Sequence, residues 1–180
     1  MKIIETPLAG LYIIEPKVFK DERGYFYESY NQKAFSDAGI KDVFVQDNQS
    51  LSQKNVVRGL HFQHPPFAQA KLVRVIKGAV MDVVVDIRKN SPTYGQTFSI
   101  ELTEDNFLML YIPIGFAHGF STLDNNTIFA YKCSAFYNKA SEDTILWNDP
   151  DLNIQWKVEN PIISEKDKFG KKFKDFVSPF

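Results

Sequence analysis

Residues 57–63, Val-Arg-Gly-Leu-His-Phe-Gln, place one arginine and one histidine three positions apart among apolar neighbours. A guanidinium binds phosphate through a bidentate fork, and an imidazole exchanges protons near neutral pH. Side chains alternate along a regular strand, so Arg58 and His61 would point to opposite faces. Gly59 lies between them, and glycine permits a local break in strand pairing that turns both side chains into one pocket. The segment therefore predicts a pocket that binds an anion and moves protons.

A second group, Pro113-x-Gly115-x-x-His118, resembles the second sequence motif of cupins, which are small β-barrels of the jelly-roll type. In metal-binding cupins this histidine is a ligand, and the first motif supplies further histidines. His61 and His64 are three positions apart here, so an extended strand sends them to opposite faces. Transition metals need three or more converging ligands. The pattern therefore predicts no metal, with a metal-dependent cupin as an alternative.

Two tyrosines and a lysine in or beside predicted strands each have two interpretations. Tyr131, Cys133 and Tyr137 would share one strand face, where the tyrosines either pack in the core or present their hydroxyls to a pocket. Lys71 precedes an alternating apolar run. It is either a solvated lysine at a strand edge or a cation that points into the barrel and stabilises a developing oxyanion.

The elements that must hold these groups are short strands rich in Val, Ile and aromatic residues. Alternating patterns predict strands over residues 71–76, 79–88, 96–102, 107–112 and 127–136. A turn at 77–78 is predicted to return the chain from the first strand to the second, and 123–127 to form a hairpin loop. Short helices are predicted over 31–39 and 164–176. Closely spaced strands with few helices predict an all-β sandwich or barrel in one domain, residues 1–180.

The composition limits the partners of the protein. The net charge of −1 gives no general attraction to nucleic acid or to an anionic membrane. Cys133 is the single cysteine, which excludes an intramolecular disulfide and fits a reducing compartment. The first residues lack the apolar stretch of a signal peptide. We therefore expect a cytoplasmic protein without nucleic-acid or membrane partners.

Segments in order along nearly the whole chain resemble the dTDP-4-dehydrorhamnose 3,5-epimerase family. They are residues 15–19, 21–24, 26–30, 45–48, 57–63, 70–74, 85–88, 91–95, 112–120, 147–150 and 164–167. Their number and order are specific for the family, but less so for the sugar, because relatives act on other nucleotide-linked ketosugars. The resemblance implies a cupin-type jelly-roll β-barrel with a few short helices.

The resemblance also implies an isomerase of dTDP-L-rhamnose and polysaccharide biosynthesis. Such enzymes invert C3 and C5 of dTDP-4-dehydro-6-deoxy-D-glucose and give dTDP-4-dehydro-L-rhamnose. The C4 carbonyl acidifies the hydrogens on both neighbouring carbons, because each carbanion delocalises onto the carbonyl oxygen. The enzyme needs a base on one face of the ring, a stabiliser for the enolate, and an acid on the other face. No cofactor is required, since the substrate carries its own electron sink.

Family roles are implied for particular residues of this sequence. His61 matches the base, Lys71 the stabiliser of the oxyanion and Tyr131 the acid, while Asp167 orients His61 and raises its basicity. Positions implied in nucleotide-sugar binding are Arg23, Glu28, Gln46, Asp47, Asn48, Arg58, His118, Glu142 and Lys166, with Tyr137 stacked on thymine. The family is dimeric. A homodimer is therefore implied, in which Arg23 and Glu28 complete the neighbour's site.

Three alternative functions fit the same sequence. A mono-epimerase would invert C3 or C5 only, or act on another nucleotide sugar. A metal-dependent cupin would use histidines as ligands. A non-catalytic barrel would bind the nucleotide sugar without turnover, although the set of His61, Lys71 and Tyr131 argues against it. The resemblance implies no role for His64. Asp86 and Arg88 share a strand face, so we expect them to form a structural ion pair.

Overall fold

Two β-sheets that face each other form the framework of the protein. The structure is a computed structural model that describes residues 1–180. The strands are β1 (Lys2–Glu5), β2 (Tyr12–Glu15), β3 (Phe19–Asp21), β4 (Gly24–Phe26), β5 (Gln46–Ser52), β6 (Val56–Gln63), β7 (Lys71–Lys77), β8 (Ala79–Asp86), β9 (Thr97–Thr103), β10 (Met109–Ile112), β11 (Phe116–Thr122), β12 (Thr127–Cys133), β13 (Glu142–Thr144) and β14 (Ile162–Ile163). The helices are α1 (Gln32–Asp37), α2 (Glu165–Lys168) and a single 3-10 turn (Phe173–Asp175). None of the helices has the length and apolar character needed to cross a membrane.

The chain passes repeatedly between the two sheets. The first sheet has the order β1-β2-β10-β7-β12-β5, and the second has the order β13-β6-β11-β8-β9. Neighbours along both paths are antiparallel, and β14 pairs in parallel with β6. The short β3–β4 hairpin stands apart from both sheets. This architecture is a cupin-type jelly roll, which confirms the predicted all-β fold.

Two predicted strand pairings are wrong. The chain turns at Gly78 as predicted, but β7 pairs with β10 and β12, whereas β8 pairs with β9 and β11. Residues 123–127 likewise connect β11 of the second sheet to β12 of the first instead of closing a hairpin. Every residue of β8 is buried, because apolar clusters cover both of its faces. Periodicity identifies a strand, but local turn residues do not specify its partner in the sheet.

Other predicted elements are confirmed with shifted ends. Helix α1 follows Asn31, whose side chain accepts a hydrogen bond from the Ala34 N–H at 3.1 Å. The strand predicted over 127–136 ends at Cys133. The predicted C-terminal helix is divided into α2 and the 3-10 turn, because a parallel bridge between Ile145 and Lys171 interrupts it.

Apolar side chains fill the space between the sheets and cover parts of their outer faces. The inner cluster includes Val73, Val84, Leu110, Phe120 and Phe129. A second cluster joins the outer face of the second sheet to the C-terminal segment, and a third joins α1 to the first sheet. Full burial of each such side chain contributes roughly 1.5–3 kcal/mol. The inner cluster gives way to polar side chains where β7 begins and β12 ends.

Asp86 and Arg88 form the ion pair predicted from their spacing. The Asp86 carboxylate is buried and accepts hydrogen bonds from the Arg88 side chain at 2.7 and 2.9 Å. The hydroxyls of Ser91 and Thr93 each donate to it at 2.6 Å. Burial alone would raise the pKa of Asp86, but these donors lower the pKa from 3.8 to about 2. The pair therefore fixes the loop that follows β8.

We expect Asp86 to stabilise the fold in a pH-dependent way. Because folding lowers its pKa, its contribution is complete above pH 3.8 and is lost as the pH falls from 3.8 to about 2. Asp86→Asn should lower the free energy of unfolding at neutral pH by about 2 kcal/mol. Urea unfolding at a series of pH values should show this difference shrinking in acid. A pH-independent difference would contradict the expectation, and Asp105→Asn in an exposed turn is the control.

Candidate active site

A cavity of about 290 Å³ lies where polar side chains from both sheets meet at one end of the barrel. It is lined by Gln46, Asn48, His61, Phe62, Gln63, Gln69, Lys71, Tyr131, Cys133, Tyr137 and Glu142. In the first sheet, strand register places Cys133 beside both Lys71 and Gln46. In the second sheet, it places Glu142 beside Gln63. Strand pairing therefore gathers residues that are distant in the sequence.

An irregularity in β6 changes the alternation of its side chains. His61 pairs with His118 on β11, and Arg58 pairs with Phe120. Gly59 and Leu60 of β6 thus lie opposite the single residue Gly119 of β11, which is the pattern of a β-bulge. Arg58 and His61 therefore face the same side of the sheet, as the position of Gly59 predicted.

Gly59 is required at this bulge because two backbones approach closely. Its φ is +139°, and a Cβ there would lie 2.5 Å from the Cα of Gly119. No other residue type fits such a contact and such a φ without displacement of the chain. On either side of Gly59, the apolar Val57, Leu60 and Phe62 pack in the outer cluster. The intervening polar side chains are left for the inner face.

His61 is hydrogen-bonded to a buried carboxylate. Its Nε2 lies 2.6 Å from Asp167 Oδ1, and Asp167 Oδ2 accepts a hydrogen bond from the Gly59 N–H at 3.3 Å. Asp167 is 2% exposed and lies on α2, which Ser164 caps at its N-terminus. Burial would raise the pKa of Asp167, but the bonds from His61 and Gly59 lower that pKa below its ordinary value. The carboxylate thus holds Nε2 and leaves Nδ1 free to exchange a proton.

A second histidine–carboxylate pair lies on the neighbouring strands. His118 is 6% exposed, and its Nε2 lies 2.9 Å from Asp82 Oδ2 on β8. Burial raises the pKa of Asp82 and lowers that of His118, while their mutual attraction opposes both shifts. Asp82 was not predicted from the sequence. The available signal was a lone carboxylate within the apolar run 80–85, where a buried charge needs a partner.

Lys71 and Tyr131 are desolvated groups of the first sheet that line the cavity. Burial lowers the pKa of Lys71, and the carboxylates of Asp82 and Glu142 oppose that shift. Burial raises the pKa of Tyr131, which Arg58 opposes, so the phenol keeps its proton at neutral pH. Of the two interpretations open for each residue, the structure favours the pocket. An ammonium and a phenol there can stabilise a negative oxygen and donate a proton.

Gln46 and Asn48 line the cavity, whereas Asp47 between them faces away. Asp47 is ion-paired with Lys132 at 2.8 Å, and 72% of its side chain is exposed. This follows from the regular alternation of β5. Asn48 Nδ2 lies 3.6 Å from Cys133 Sγ, which fixes the amide inside the cavity.

Tyr137, Glu142 and Lys166 form a network at the cavity mouth. The Tyr137 hydroxyl donates to Glu142 Oε2 at 2.9 Å, and Lys166 is ion-paired with Glu142 Oε1. Burial would raise the pKa of Glu142, but Lys166 and Tyr137 lower that pKa below its ordinary value. The Tyr137 side chain is anchored by its hydroxyl while the residue is 55% exposed. Its ring therefore presents a flat face that suits a nucleobase.

Arg58 does not itself line the cavity, but its charge acts on Tyr131, and a hydroxyl from β5 holds its side chain. Its Nε and Nη2 each lie 3.2 Å from Ser52 Oγ. A neutral hydroxyl leaves the guanidinium charge uncompensated. The remaining N–H donors suit the oxygens of a phosphate.

Arg23 and Glu28 are not brought to the cavity within one chain. Arg23 lies in the β3–β4 hairpin, where its side chain is 84% exposed and bonds to Asp21. Glu28 accepts a hydrogen bond from the Asn31 side chain at 3.1 Å, beside α1. Neither residue lines the cavity.

The histidines bind separate carboxylates and do not converge. His64 bonds to Asp143 at 3.0 Å, and His61 and His118 belong to the two pairs described above. No group of three or more His, Cys, Asp or Glu side chains is arranged to hold a metal ion. The arrangement therefore gives no support to a metal-dependent cupin.

The cavity combines a carboxylate-held imidazole, an ammonium and a phenol from facing sheets. Such a set can remove a proton from carbon beside a carbonyl, stabilise the enolate and return a proton. The fold and the site thus define a jelly-roll isomerase that works by proton transfer. The chain belongs to the dTDP-4-dehydrorhamnose 3,5-epimerase family, whose model matches residues 5–175.

Relatives of known identity are similar along nearly the whole chain. A dTDP-4-dehydrorhamnose 3,5-epimerase of Shigella flexneri is 53% identical over 176 residues, 97% of each chain. A crystal structure of such an epimerase from Elizabethkingia anophelis NUHP1 is 52% identical, with a TM-score of 0.93 over 97% of each chain. The dTDP-6-deoxy-D-glucose-3,5-epimerase of Legionella pneumophila Philadelphia 1, in complex with dTDP-4-keto-L-rhamnose, is 47% identical. Its TM-score is 0.92, over 96% of this chain and 93% of that one.

Proposed function

We propose that the protein converts dTDP-4-dehydro-6-deoxy-D-glucose into dTDP-4-dehydro-L-rhamnose by epimerisation at C3 and C5. The observation that carries this proposal is the convergence of the His61–Asp167 pair, Lys71 and Tyr131 on one cavity. The family membership supports the substrate class. The Legionella relative in complex with dTDP-4-keto-L-rhamnose supports the product.

His61 removes a hydrogen from the carbon beside the C4 carbonyl as a proton, through Nδ1. The electron pair of that C–H bond moves onto the carbonyl oxygen, where Lys71 stabilises the enolate. Tyr131 then gives its phenolic proton to the opposite face of the same carbon, and solvent restores both groups. Asp167 stabilises the imidazolium that forms. A second round at the other carbon completes the reaction, with the substrate carbonyl as the electron sink.

The nucleotide is bound at the cavity mouth. Arg58 pairs with the diphosphate, because a guanidinium fork matches two phosphate oxygens. Tyr137 stacks on thymine through its exposed ring face. The remaining binding residues of this proposal at the cavity or its mouth are Gln46, Asn48, Glu142 and Lys166. Asp47 and His118, which the resemblance also implies, do not line the cavity.

Proton NMR of the substrate in heavy water tests the activity. We expect deuterium at both C3 and C5, together with formation of the L-sugar. Exchange at one carbon only would replace the proposal by a mono-epimerase. Binding of dTDP without exchange at either carbon would indicate a non-catalytic barrel.

We also propose that the protein is a homodimer in which Arg23 and Glu28 of the partner subunit complete each site. Two features of the surface support this. The hairpin that carries Arg23 exposes three aromatic side chains, Phe19, Tyr25 and Phe26. The outer face of the first sheet has an open hollow of about 350 Å³, whose lining includes Arg74 and Lys132. Tyr27 connects the two features, because it packs on Tyr25 and accepts a hydrogen bond from Arg74. Exposed apolar patches of this kind often mark protein–protein interfaces.

Mixing two inactive variants tests whether sites are shared. Arg23→Ala and His61→Asn each damage both sites of a homodimer. In a mixed dimer that shares sites, one site carries both defects and the other carries neither. Unfolding and refolding an equal mixture should therefore restore about a quarter of wild-type activity, since half of the dimers are mixed. No recovery would place Arg23 in its own site, and a monomer in sedimentation would refute the dimer.

A further inference from the structure

Gln63 is a buried amide to which none of the proposed roles applies. It is 5% exposed and lies two residues after His61 on β6, so both side chains line the cavity. A buried amide needs hydrogen-bond partners. Gln63 Nε2 donates to the carbonyls of Phe67 at 2.7 Å and Phe136 at 3.3 Å, and Oε1 accepts from the Asn138 N–H at 2.8 Å.

Two of these three bonds flank Tyr137 directly. Residues 136–138 follow the end of β12 and lie outside any strand, so no sheet ladder holds their backbone. The Tyr137 N–H donates to Gln46 Oε1 at 2.9 Å. Amides from β5 of the first sheet and β6 of the second therefore hold the backbone on both sides of the ring. Glu142, paired with Gln63 in the sheet, holds the hydroxyl.

We propose that Gln63 is a positioning residue for nucleotide binding, which fixes Tyr137 as the platform for the base. The inference rests on the proposed function, in which Tyr137 stacks on thymine. A platform that is already ordered spares the ligand the entropy cost of ordering it. Gln63 and His61 both lie on β6. The same strand therefore positions the platform for the nucleobase and the imidazole that removes a proton from the sugar.

Gln63→Leu is expected to weaken dTDP binding roughly tenfold, because Leu has a similar size but makes none of the three bonds. The KM for the nucleotide sugar should rise in parallel. The kcat at saturating substrate should stay within about twofold, since the groups that move protons are unchanged. Gln63→Met also has a similar size and makes none of the three bonds. Gln63→Met should weaken dTDP binding by a similar factor, and it replaces Gln63→Leu if the leucine variant does not fold.

A double-mutant cycle with Tyr137→Ala distinguishes positioning from general damage. Calorimetric titration with dTDP should give a large effect of Gln63→Leu in the wild-type background and almost none in Tyr137→Ala, because the platform is already gone. Equal effects in both backgrounds, or a loss of kcat with unchanged affinity, would overturn the inference. Gln155→Leu is the matched control, since Gln155 is an exposed amide that bonds only to Asn153.

Amide hydrogen exchange distinguishes failure of this inference from failure of the proposed function. Gln63→Leu should accelerate exchange at the Asn138 N–H, whose acceptor is Gln63 Oε1, whatever the ligand is. Unchanged exchange at Asn138 would overturn the positioning role by itself. The proposed function would be overturned if the wild-type protein failed to bind dTDP. Calorimetric titration of the unsubstituted protein would show this.

Discussion

Replacing His61 by asparagine is expected to slow deuterium exchange at both C3 and C5 by roughly 10³-fold, the contribution of a well-placed general base. His61 lines the cavity and is the histidine whose ring is held at Nε2 by Asp167. Asparagine keeps a polar side chain of similar reach but cannot accept a proton near neutral pH. Proton NMR in heavy water measures the exchange, and titration with dTDP should show nearly unchanged affinity.

His64→Asn is the matched control for this substitution. His64 is also bonded to a carboxylate, that of Asp143 at 3.0 Å, but it does not line the cavity. The control should exchange both positions at close to the wild-type rate. Survival of fast exchange at one carbon in His61→Asn would assign that carbon to a different base. Equal losses in the two variants would mean that the effect is structural.

The shared face of Arg58 and His61 could be predicted from the sequence because its cause is local. A glycine between two polar residues three positions apart is enough to indicate a break in alternation, and the bulge lies there. The strands themselves follow from periodicity in the same way. These features depend on residues within one segment, so no knowledge of the pairing partners is needed.

The partners across the barrel could not be predicted, because they depend on which strands become neighbours. The sequence around Gly78 is compatible with a hairpin, yet β7 and β8 lie in different sheets. The same limit applies to Asp82 and Gln63. The sequence shows that both are polar residues within apolar strands. It does not show that Asp82 pairs with His118 or that Gln63 bonds to the 136–138 loop, because these partners are distant in the sequence. Arg23 lies away from the cavity of its own chain, so its predicted role depends on the proposed dimer.

Tyr131→Phe is expected to slow the return of a proton to the far face of the sugar much more than it slows proton abstraction by His61. The variant keeps the ring and its packing but loses the proton that the phenol would give to the far face of the sugar. Burial raises the pKa of Tyr131, so at neutral pH the wild-type side chain is a proton donor and not a base. Formation of the L-sugar should therefore fall roughly 10²- to 10⁴-fold.

Deuterium exchange into recovered substrate should fall much less in Tyr131→Phe, because His61 still forms the enolate and returns a proton to the face from which it came. Comparing product formation with deuterium content by NMR and mass spectrometry measures this difference. Tyr94→Phe, which alters a tyrosine packed on Phe173 outside the cavity, is the control. Equal losses of exchange and product in Tyr131→Phe would instead place Tyr131 in the proton-abstraction step. Unchanged product formation would require another acid on that face.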